Sequence, residues 1–268
     1  MSEVPSHIQK LAASHCEPLF LSVPYLGDGH TPEKANGTIT FIEYRGRIFG
    51  ITCAHVYEEQ EPTGKWLTLH GSERYIYQLG TLTPDGYKSL FRPLRNNPND
   101  NGADIAIIEL GESVKQVHFD CKGKQAINLD NWVEPNWNEI DVPVAFGYPT
   151  EHKKIQSKDV LGCPLLSVAA EITRPISTND ATFLLASSFE SDNVYFFSGM
   201  SGGPVYSVTE PDGNPDIIGI VFEGTPGSSK EWNTRDDQSF YTEKDIQIRA
   251  YTFTPDIFEQ WLQQVNYL

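Results

Sequence analysis

The segment Ser-Gly-Met-Ser-Gly-Gly-Pro, residues 198–204, places Ser201 in a run of small residues. Glycine and proline favour turns, so the run by itself is typical of a connection between two strands. The same turn can serve chemistry, because the Ser201 hydroxyl and the N–H groups of Gly199 and Ser201 could face one point. Such a grouping suits nucleophilic acyl transfer, which also requires an imidazole base and a carboxylate that orients it.

A histidine and an aspartate stand in contexts that fit these two roles. His55 ends the stretch Gly-Ile-Thr-Cys-Ala-His, and Asp104 begins Asp-Ile-Ala-Ile-Ile after the polar loop 96–104. Both lie where a predicted strand meets a loop, a usual place for reactive side chains on a rigid scaffold. Their order along the chain is His, Asp, Ser, which is the order of the chymotrypsin triad. We therefore predict Ser201 as nucleophile, His55 as general base and Asp104 as its orienting carboxylate.

These motifs resemble those of trypsin/chymotrypsin-like serine peptidases, particularly the bacterial, high-temperature-requirement-like branch. Thr-Cys-Ala-His-Val, Ala-Asp-Ile-Ala-Ile-Ile and Gly-Met-Ser-Gly-Gly-Pro are similar to the family's histidine, aspartate and serine motifs. The resemblance covers roughly residues 20–265. It implies peptide-bond hydrolysis through an acyl-enzyme, with the N–H groups of Gly199 and Ser201 as the oxyanion hole and with no metal or cofactor.

Other interpretations remain open beside this one. The chain could be a catalytically silent peptidase-fold scaffold or a peptide-binding module, although such proteins usually lack a triad residue and all three are present here. Cys53 stands two residues before His55, but we expect a small buried thiol there, since Ser201 occupies the nucleophile motif. An esterase of the α/β-hydrolase type would need alternating strands and helices and the order Ser, Asp, His, and neither pattern is present.

Met200 departs from the resemblance, because digestive trypsins carry there an aspartate that pairs with a newly cut N-terminus. Activation by zymogen cleavage is therefore not expected. Glu223 would favour a basic substrate residue if its carboxylate pointed into the pocket, whereas an aromatic residue at the pocket base argues against one. Gly224 would leave the pocket entrance open. The substrate-binding positions implied by the resemblance are Tyr195 at the pocket base, Phe196, Ser198, Phe222, Glu223 and Gly224.

The elements that must position these residues are predicted to be almost entirely strands. The chain of 268 residues has 21 glycines and 18 prolines scattered between short apolar runs, a pattern typical of many strands joined by turns. The runs 38–44 and 47–52 predict a hairpin. We expect an all-β fold of two consecutive antiparallel six-stranded β-barrels: an N-terminal extension (1–19) with a short helix over 5–14, a first barrel (20–125) carrying His55 and Asp104, and a second barrel (126–268) carrying Ser201 and a C-terminal helix (255–266).

Charge and composition limit the partners. The formal net charge is −16, and the absence of a basic stripe argues against nucleic acid and against an anionic membrane surface. No apolar stretch approaches the ~18 residues of a membrane span, and the N-terminus is a poor secretory signal. The four cysteines are widely spaced, which favours free thiols and a cytoplasmic location. The expected partner is a protein or peptide substrate, and a regulatory protein partner is left open.

Overall fold

The computed structural model describes residues 4–21, 36–58, 67–71, 75–78, 91–95, 102–111, 115, 119–120, 123–140, 142–152, 154–157, 160–172, 181–188, 196–208, 215–225 and 245–268. Its helices are α1 (Ser6–His15), α2 (Ala54–Glu58) and α3 (Pro255–Gln264). Its strands are β1 (Cys16–Leu21), β2 (Asn36–Tyr44), β3 (Arg47–Thr52), β4 (Leu67–Gly71), β5 (Tyr75–Gln78), β6 (Arg92–Pro93), β7 (Ala106–Glu109), β8 (Ile127–Asn128), β9 (Val144–Gly147), β10 (Lys154–Ser157), β11 (Val160–Gly162), β12 (Leu166–Ala169), β13 (Glu171–Ile172), β14 (Thr182–Ser188), β15 (Pro204–Ser207), β16 (Asp216–Thr225) and β17 (Asp245–Thr252).

The first sheet has the strand order β5-β4-β1-β2-β3-β7-β6, and β8 pairs with β2 in parallel. It holds eight described strands where six were expected, and its shortest members are the two-residue strands β6 and β8. The hairpin β2–β3 lies where the sequence predicted it. Its turn residues Arg45 and Gly46 both have positive φ, the geometry whose twist matches that of the flanking strands.

The second sheet has the order β12-β9-β15-β16-β17-β14-β13. Strands β12 and β13 lie at its two ends but adjoin along the chain, separated only by Ala170. The sheet therefore curls back on itself as a nearly closed barrel, and counting β12 and β13 as halves of one bent strand gives the six predicted strands. Strands β10 and β11 form a separate two-stranded ribbon.

Three clusters of buried apolar side chains hold these layers together. One lies within the first sheet around Phe41 and Ile108, and another fills the second barrel around Leu185 and Val221. The largest joins residues of both sheets with residues of α1 and α3, including Phe146 of the second barrel. Because this shared core is apolar and buried, it fixes the two barrels against each other.

The C-terminal helix α3 starts as the sequence predicted and then packs on the first barrel. The Thr254 side chain accepts a hydrogen bond from the N–H of Ile257 at 3.2 Å, and Pro255 occupies the first turn, both common features of helix N-termini. The ring of Phe258 meets Phe49 of β3 edge-on, with centroids 5.5 Å apart. The helix thus ties the end of the chain to the hairpin that precedes His55.

These observations confirm the expected all-β fold class, with two antiparallel sheets, one of them a nearly closed barrel, and a C-terminal helix, as in a chymotrypsin-like double barrel. The division of the chain at 19/20 and 125/126 stays a prediction. Strand β1 begins at Cys16, and β8 at 127–128 pairs with the first sheet. Within the described ranges, no helix combines the length and the apolar character needed to cross a membrane.

Candidate active site

His55 and Asp104 meet because the strands that precede and follow them are neighbours. His55 lies in α2 directly after β3, Asp104 lies just before β7, and these strands pair with Thr52 opposite Ala106. Asp104 then binds His55 twice: Oδ2 accepts a hydrogen bond from Nδ1 at 2.5 Å, and Oδ1 accepts one from the backbone N–H at 2.9 Å. This double contact orients the imidazole and places its proton on Nδ1, so that Nε2 is the nitrogen left to act as a base.

Two further residues hold Asp104 in place. The backbone N–H of Asp104 donates a hydrogen bond to the hydroxyl of Tyr251 at 2.8 Å, and the Arg95 guanidinium lies 3.2 Å from the carboxylate oxygen Oδ1. Burial by itself would raise the pKa of Asp104, but the hydrogen bonds and charge of His55, with the charge of Arg95, outweigh it. The pKa therefore lies below its usual range, and the carboxylate is ionised at neutral pH.

Ser201 lies in the loop before β15, with its side chain directed at β16. Its hydroxyl donates to the carbonyl oxygen of Phe222 at 3.2 Å. Among the described residues, no hydrogen bond joins Ser201 to His55. Catalytic hydrogen bonds are often long or misaligned before substrate binds, and a rotation about the Cα–Cβ bond of Ser201 would redirect the hydroxyl.

Cys53 lies close to Ser201 and to the His55–Asp104 pair. The Cys53 sulfur, a ring nitrogen of His55 and a carboxylate oxygen of Asp104 all lie within 4.8 Å of one another. The Ser201 side chain and the backbone of Gly202 also form hydrogen bonds with this thiol. The tertiary structure therefore gathers the residues of all three sequence motifs around one buried sulfur atom.

The thiol of Cys53 has the character of a packing residue. It is fully buried and contacts the carbonyl oxygen of Val221 at 3.3 Å as a donor. Burial, followed by the nearby charge of Asp104, raises its pKa well above the usual value. A thiol, an imidazole and a carboxylate can together bind a metal ion, and a metal ion bound here would have to displace the proton of this thiol.

The backbone N–H groups of Gly199 and Ser201 have directions that are set by hydrogen bonds to the carbonyl oxygens of the same peptide groups. The carbonyl oxygen of Ser198 accepts a hydrogen bond from the N–H of Thr150 at 2.7 Å, and that of Met200 accepts one from Gly203 at 2.9 Å. In a planar trans peptide the C=O and N–H point in opposite directions. The N–H groups of Gly199 and Ser201 are therefore turned away from these anchors, and among the described residues neither has an acceptor. Together they can bind a developing oxyanion.

Close contacts with the first barrel fix the same loop. The hydroxyl of Thr40 donates to the carbonyl oxygen of Gly202 at 2.7 Å, and the backbone N–H of Thr38 donates to that of Ser201 at 2.8 Å. Gly202 has φ +91°, and a Cβ there would lie 2.0 Å from the carbonyl oxygen of Thr38. Gly199 has φ +100°, and a Cβ there would lie 2.8 Å from the carbonyl oxygen of Tyr148. Neither position can carry a side chain without moving the loop.

Met200 anchors the loop on its other side. Its side chain is fully buried in the second-barrel cluster, and a Cβ on Gly147 would collide with it at 2.9 Å. An apolar side chain thus fills the position for which the resemblance gives an ion-paired aspartate, which agrees with the expectation that no cleavage is needed to order this loop.

Three of the predicted substrate-binding positions lie in two segments: Phe196 and Ser198 shortly precede Ser201 along the chain, and Phe222 lies in β16. Phe196 is half-buried and its N–H faces Nε2 of His152 at 3.5 Å, whereas the side chain of Ser198 is exposed. The ring of Phe222 is half-buried and stacks on Tyr251, with centroids 4.5 Å apart. Tyr195 lies outside the described residues.

The other two positions are Glu223 and Gly224, also on β16. The carboxylate of Glu223 pairs with Arg249 of β17 at 3.0 Å, and both side chains are half exposed. A Cβ on Gly224 would lie 2.5 Å from the Cβ of Phe197, a residue 2% exposed. Phe197 therefore lies directly against Gly224, and an open pocket entrance at Gly224 stays a prediction.

Comparisons with known proteins give structural likeness only. No protein-family model matches the chain, and no curated protein sequence matches it. Solved structures that match the chain include a scabies mite inactivated protease paralogue, S-I1, with 14% identity, a TM-score of 0.46 and coverage of 96% of each chain. Another comes from work on coupled folding and binding of the Sesbania mosaic virus VPg protein, with 14% identity, a TM-score of 0.44 and coverage of 95% of each chain.

Sequence reasoning missed the residues that position the candidate site. Thr38, Thr150, Tyr251 and Arg95 all contact its members, yet none stands in a motif. Their contacts join segments far apart along the chain, or, for Arg95, segments separated by a polar loop. The spacing of neighbouring residues does not predict such contacts, so they are seen only in the folded structure.

Proposed function

We propose that the chain is a serine endopeptidase in which Ser201, His55 and Asp104 form the catalytic triad. The observation that carries this proposal is the double contact of Asp104 with His55, at 2.5 Å to Nδ1 and 2.9 Å to the backbone N–H. A carboxylate that binds both groups fixes the tautomer and orientation that a general base requires. The neighbouring loop offers a hydroxyl and two N–H groups without acceptors among the described residues.

In the proposed reaction, Ser201 Oγ attacks the carbonyl carbon of the scissile peptide bond while His55 Nε2 takes its proton. The N–H groups of Gly199 and Ser201 stabilise the oxyanion that forms. His55 then gives the proton to the leaving amine, the C–N bond breaks, and an acyl-enzyme remains on Ser201. A water molecule, deprotonated by His55, releases the acid product and restores the hydroxyl.

We further propose limited cleavage of a specific protein, with Tyr195, Phe196, Ser198, Phe222, Glu223 and Gly224 contacting the substrate. The Glu223 carboxylate is engaged by Arg249, and Phe197 packs against Gly224. The pairing of Glu223 with Arg249 favours an uncharged residue before the scissile bond over arginine or lysine. Cys16, Cys53 and Cys163 are present as thiols, which supports a reducing, cytoplasmic setting. No nucleic-acid or membrane partner and no cofactor are proposed, and a regulatory protein partner stays an open part of the proposal.

The test is labelling of the purified protein with a fluorophosphonate probe, followed by cleavage of a peptide library. We expect one covalent adduct on Ser201, its loss in Ser201→Ala, and hydrolysis that stops in the same variant. Asp104→Asn, which alters the imidazole tautomer, is expected to lower kcat by about 10⁴-fold. Ser207→Ala, which changes a buried hydroxyl in β15, is the matched control and should keep labelling.

A catalytically silent peptide-binding module is the second candidate function. The hydrogen bond that the Ser201 hydroxyl donates to the Phe222 carbonyl, with none to His55 among the described residues, is the observation that favours it. The two functions predict opposite results in the same assay. Peptide binding with neither labelling nor cleavage would support the silent module and overturn the peptidase.

A further inference from the structure

The Asp104 carboxylate carries a contact that the proposed triad mechanism does not use. Nη2 of Arg95 lies 3.2 Å from Oδ1 of Asp104, and the Arg95 side chain is 14% exposed. Oδ1 is also the oxygen that accepts the backbone N–H of His55. The guanidinium and the start of α2 therefore hold the same carboxylate oxygen, while Oδ2 faces the imidazole.

Arg95 is placed here by the fold of the first barrel. It follows β6, whose pairing with β7 is continued by a hydrogen bond from the N–H of Leu94 to the carbonyl oxygen of Ile105 at 2.8 Å. A Cβ on Gly102 would lie 3.3 Å from Cα of Arg95, so the segment that enters Asp104 passes close to the arginine backbone. The pairing of β6 with β7 thus positions both Arg95 and Asp104.

Several elements contribute groups that face Asp104. They are the imidazole of His55 from α2, the neutral thiol of Cys53 before it, the hydroxyl of Tyr251 from β17 and the guanidinium of Arg95 after β6. Apart from the imidazole, which is charged only when protonated, Arg95 is the cation among these described groups. Its charge acts on Asp104 directly and on the neighbouring imidazole at longer range.

We propose that Arg95 is a positioning residue of the triad, which fixes Asp104 through Oδ1 and sets, through its positive charge, the pH range in which His55 works as a base. A cation near an imidazole opposes protonation of the ring. The lowered pKa of Asp104, to which the Arg95 charge contributes, agrees with this effect. The inference rests on the proposed peptidase function.

The experiment compares Arg95→Met, which removes the charge, with Arg95→Lys, which keeps it but loses the planar fork. Arg45→Met is the matched control, because Arg45 forms an exposed ion pair with Glu259 at 2.9 Å. Each change is made in the intact chain carrying Ser201→Ala. The pH dependence of the His55 ring signals is then followed by NMR, a readout that needs no catalytic activity.

We expect the midpoint of the His55 signals to move to higher pH by roughly one unit in Arg95→Met, because a nearby positive charge has been removed. In Arg95→Lys it should stay within about 0.3 unit of the parent. An Arg95→Met midpoint equal to that of the Arg45→Met control would overturn the proposal, and so would equal shifts in the methionine and lysine variants. If Arg95→Met does not fold, Arg95→Gln, which can still donate to Oδ1, replaces it as the neutral variant.

The same substitutions in the chain with Ser201 intact report on catalysis. In Arg95→Met, the acid limb of the pH profile of kcat/KM should move to higher pH by the amount seen in the NMR titration. If the parent protein hydrolyses no peptide, the proposed function fails, but the NMR comparison still decides whether Arg95 controls His55. The two failures are therefore distinguishable.

Discussion

The Thr38 hydroxyl in β2 donates a hydrogen bond to the carbonyl oxygen of Gly199 at 2.8 Å and accepts one from the N–H of Tyr148 at 3.1 Å. A single buried side chain of the first barrel thus holds two segments of the second, one of which contains Ser201. The His55–Asp104 pair belongs to the first barrel and Ser201, the proposed nucleophile, to the second. The hydrogen bonds of Thr38 therefore help to hold the residues of the proposed triad together across the interface.

Thr38→Val should remove both hydrogen bonds that the Thr38 hydroxyl forms with the second barrel. Valine has nearly the same shape, but it leaves the Gly199 carbonyl and the Tyr148 N–H without their buried partner, which costs about 1–3 kcal/mol of unfolding free energy. We expect kcat/KM to fall by roughly tenfold as the loop shifts. Urea unfolding and peptide hydrolysis measure the two effects. Thr38→Ser restores the hydroxyl and should recover most of both losses, and an equal defect in the serine variant would contradict this role.

Thr150→Pro should disturb the proposed oxyanion hole. The N–H of Thr150 holds the Ser198 carbonyl at 2.7 Å, and proline lacks that N–H. Proline fits the first position of a helical turn, and Thr150 begins the 3₁₀ turn at 150–152. With the Ser198–Gly199 peptide free to rotate, we expect kcat to fall by up to about 10²-fold with little change in KM.

Thr150→Ala is the control for that change, since it keeps the N–H and removes the hydroxyl. Steady-state kinetics should place it within about threefold of the parent, because the peptide anchor is intact. Equal kcat values for the proline and alanine variants would show that this hydrogen bond does not orient the Gly199 N–H.

Cys53→Ala should leave an active peptidase. The thiol is buried and protonated, so we expect the variant to retain fluorophosphonate labelling and to hydrolyse peptides within about fivefold of the parent, with a small loss of stability from the lost sulfur. The native protein should resist iodoacetamide at Cys53, as peptide mass mapping would show. Abolished labelling in Cys53→Ala would instead make the cysteine part of the chemistry.

His15 should make the protein less stable in mild acid. It is buried, with Nδ1 2.8 Å from the hydroxyl of Tyr206, and burial, followed by the charge of Lys124, lowers its pKa from 6.5 to about 4. Between these pH values the unfolded chain binds the proton and the folded chain does not. The stability this group contributes is thus present above pH 6.5 and lost as pH falls towards 4, by up to about 3 kcal/mol.

Urea unfolding at pH 7.5, 6 and 5 measures this dependence. Because many carboxylates titrate near the lower limit, the comparison is with His15→Gln, which can still bond Tyr206 but has no proton to take up. The glutamine variant should lose less stability than the parent between pH 7.5 and 5. Parallel curves for the two proteins would show that His15 is not responsible.

Local chemistry explains why much of the fold could be predicted. The hairpin 38–52 follows from two β-rich runs around Arg45-Gly46, and helix α3 follows from its Thr254 cap, Pro255 and one apolar face. These are effects between residues near each other along the chain, so sequence spacing records them. The strand count of the first sheet was less predictable, because the two-residue strands β6 and β8 exist only through their partners.

The sequence by itself determined the fold class and the three motifs that hold His55, Asp104 and Ser201, because residue type and local spacing carry that information. Only the tertiary structure decided what surrounds them: Arg95 on Asp104, Thr38 on the Ser201 loop, and Glu223 paired with Arg249. Contacts of this kind depend on strand pairing and barrel packing, which bring distant segments within a few ångströms of each other. No pattern of neighbouring residues encodes such contacts.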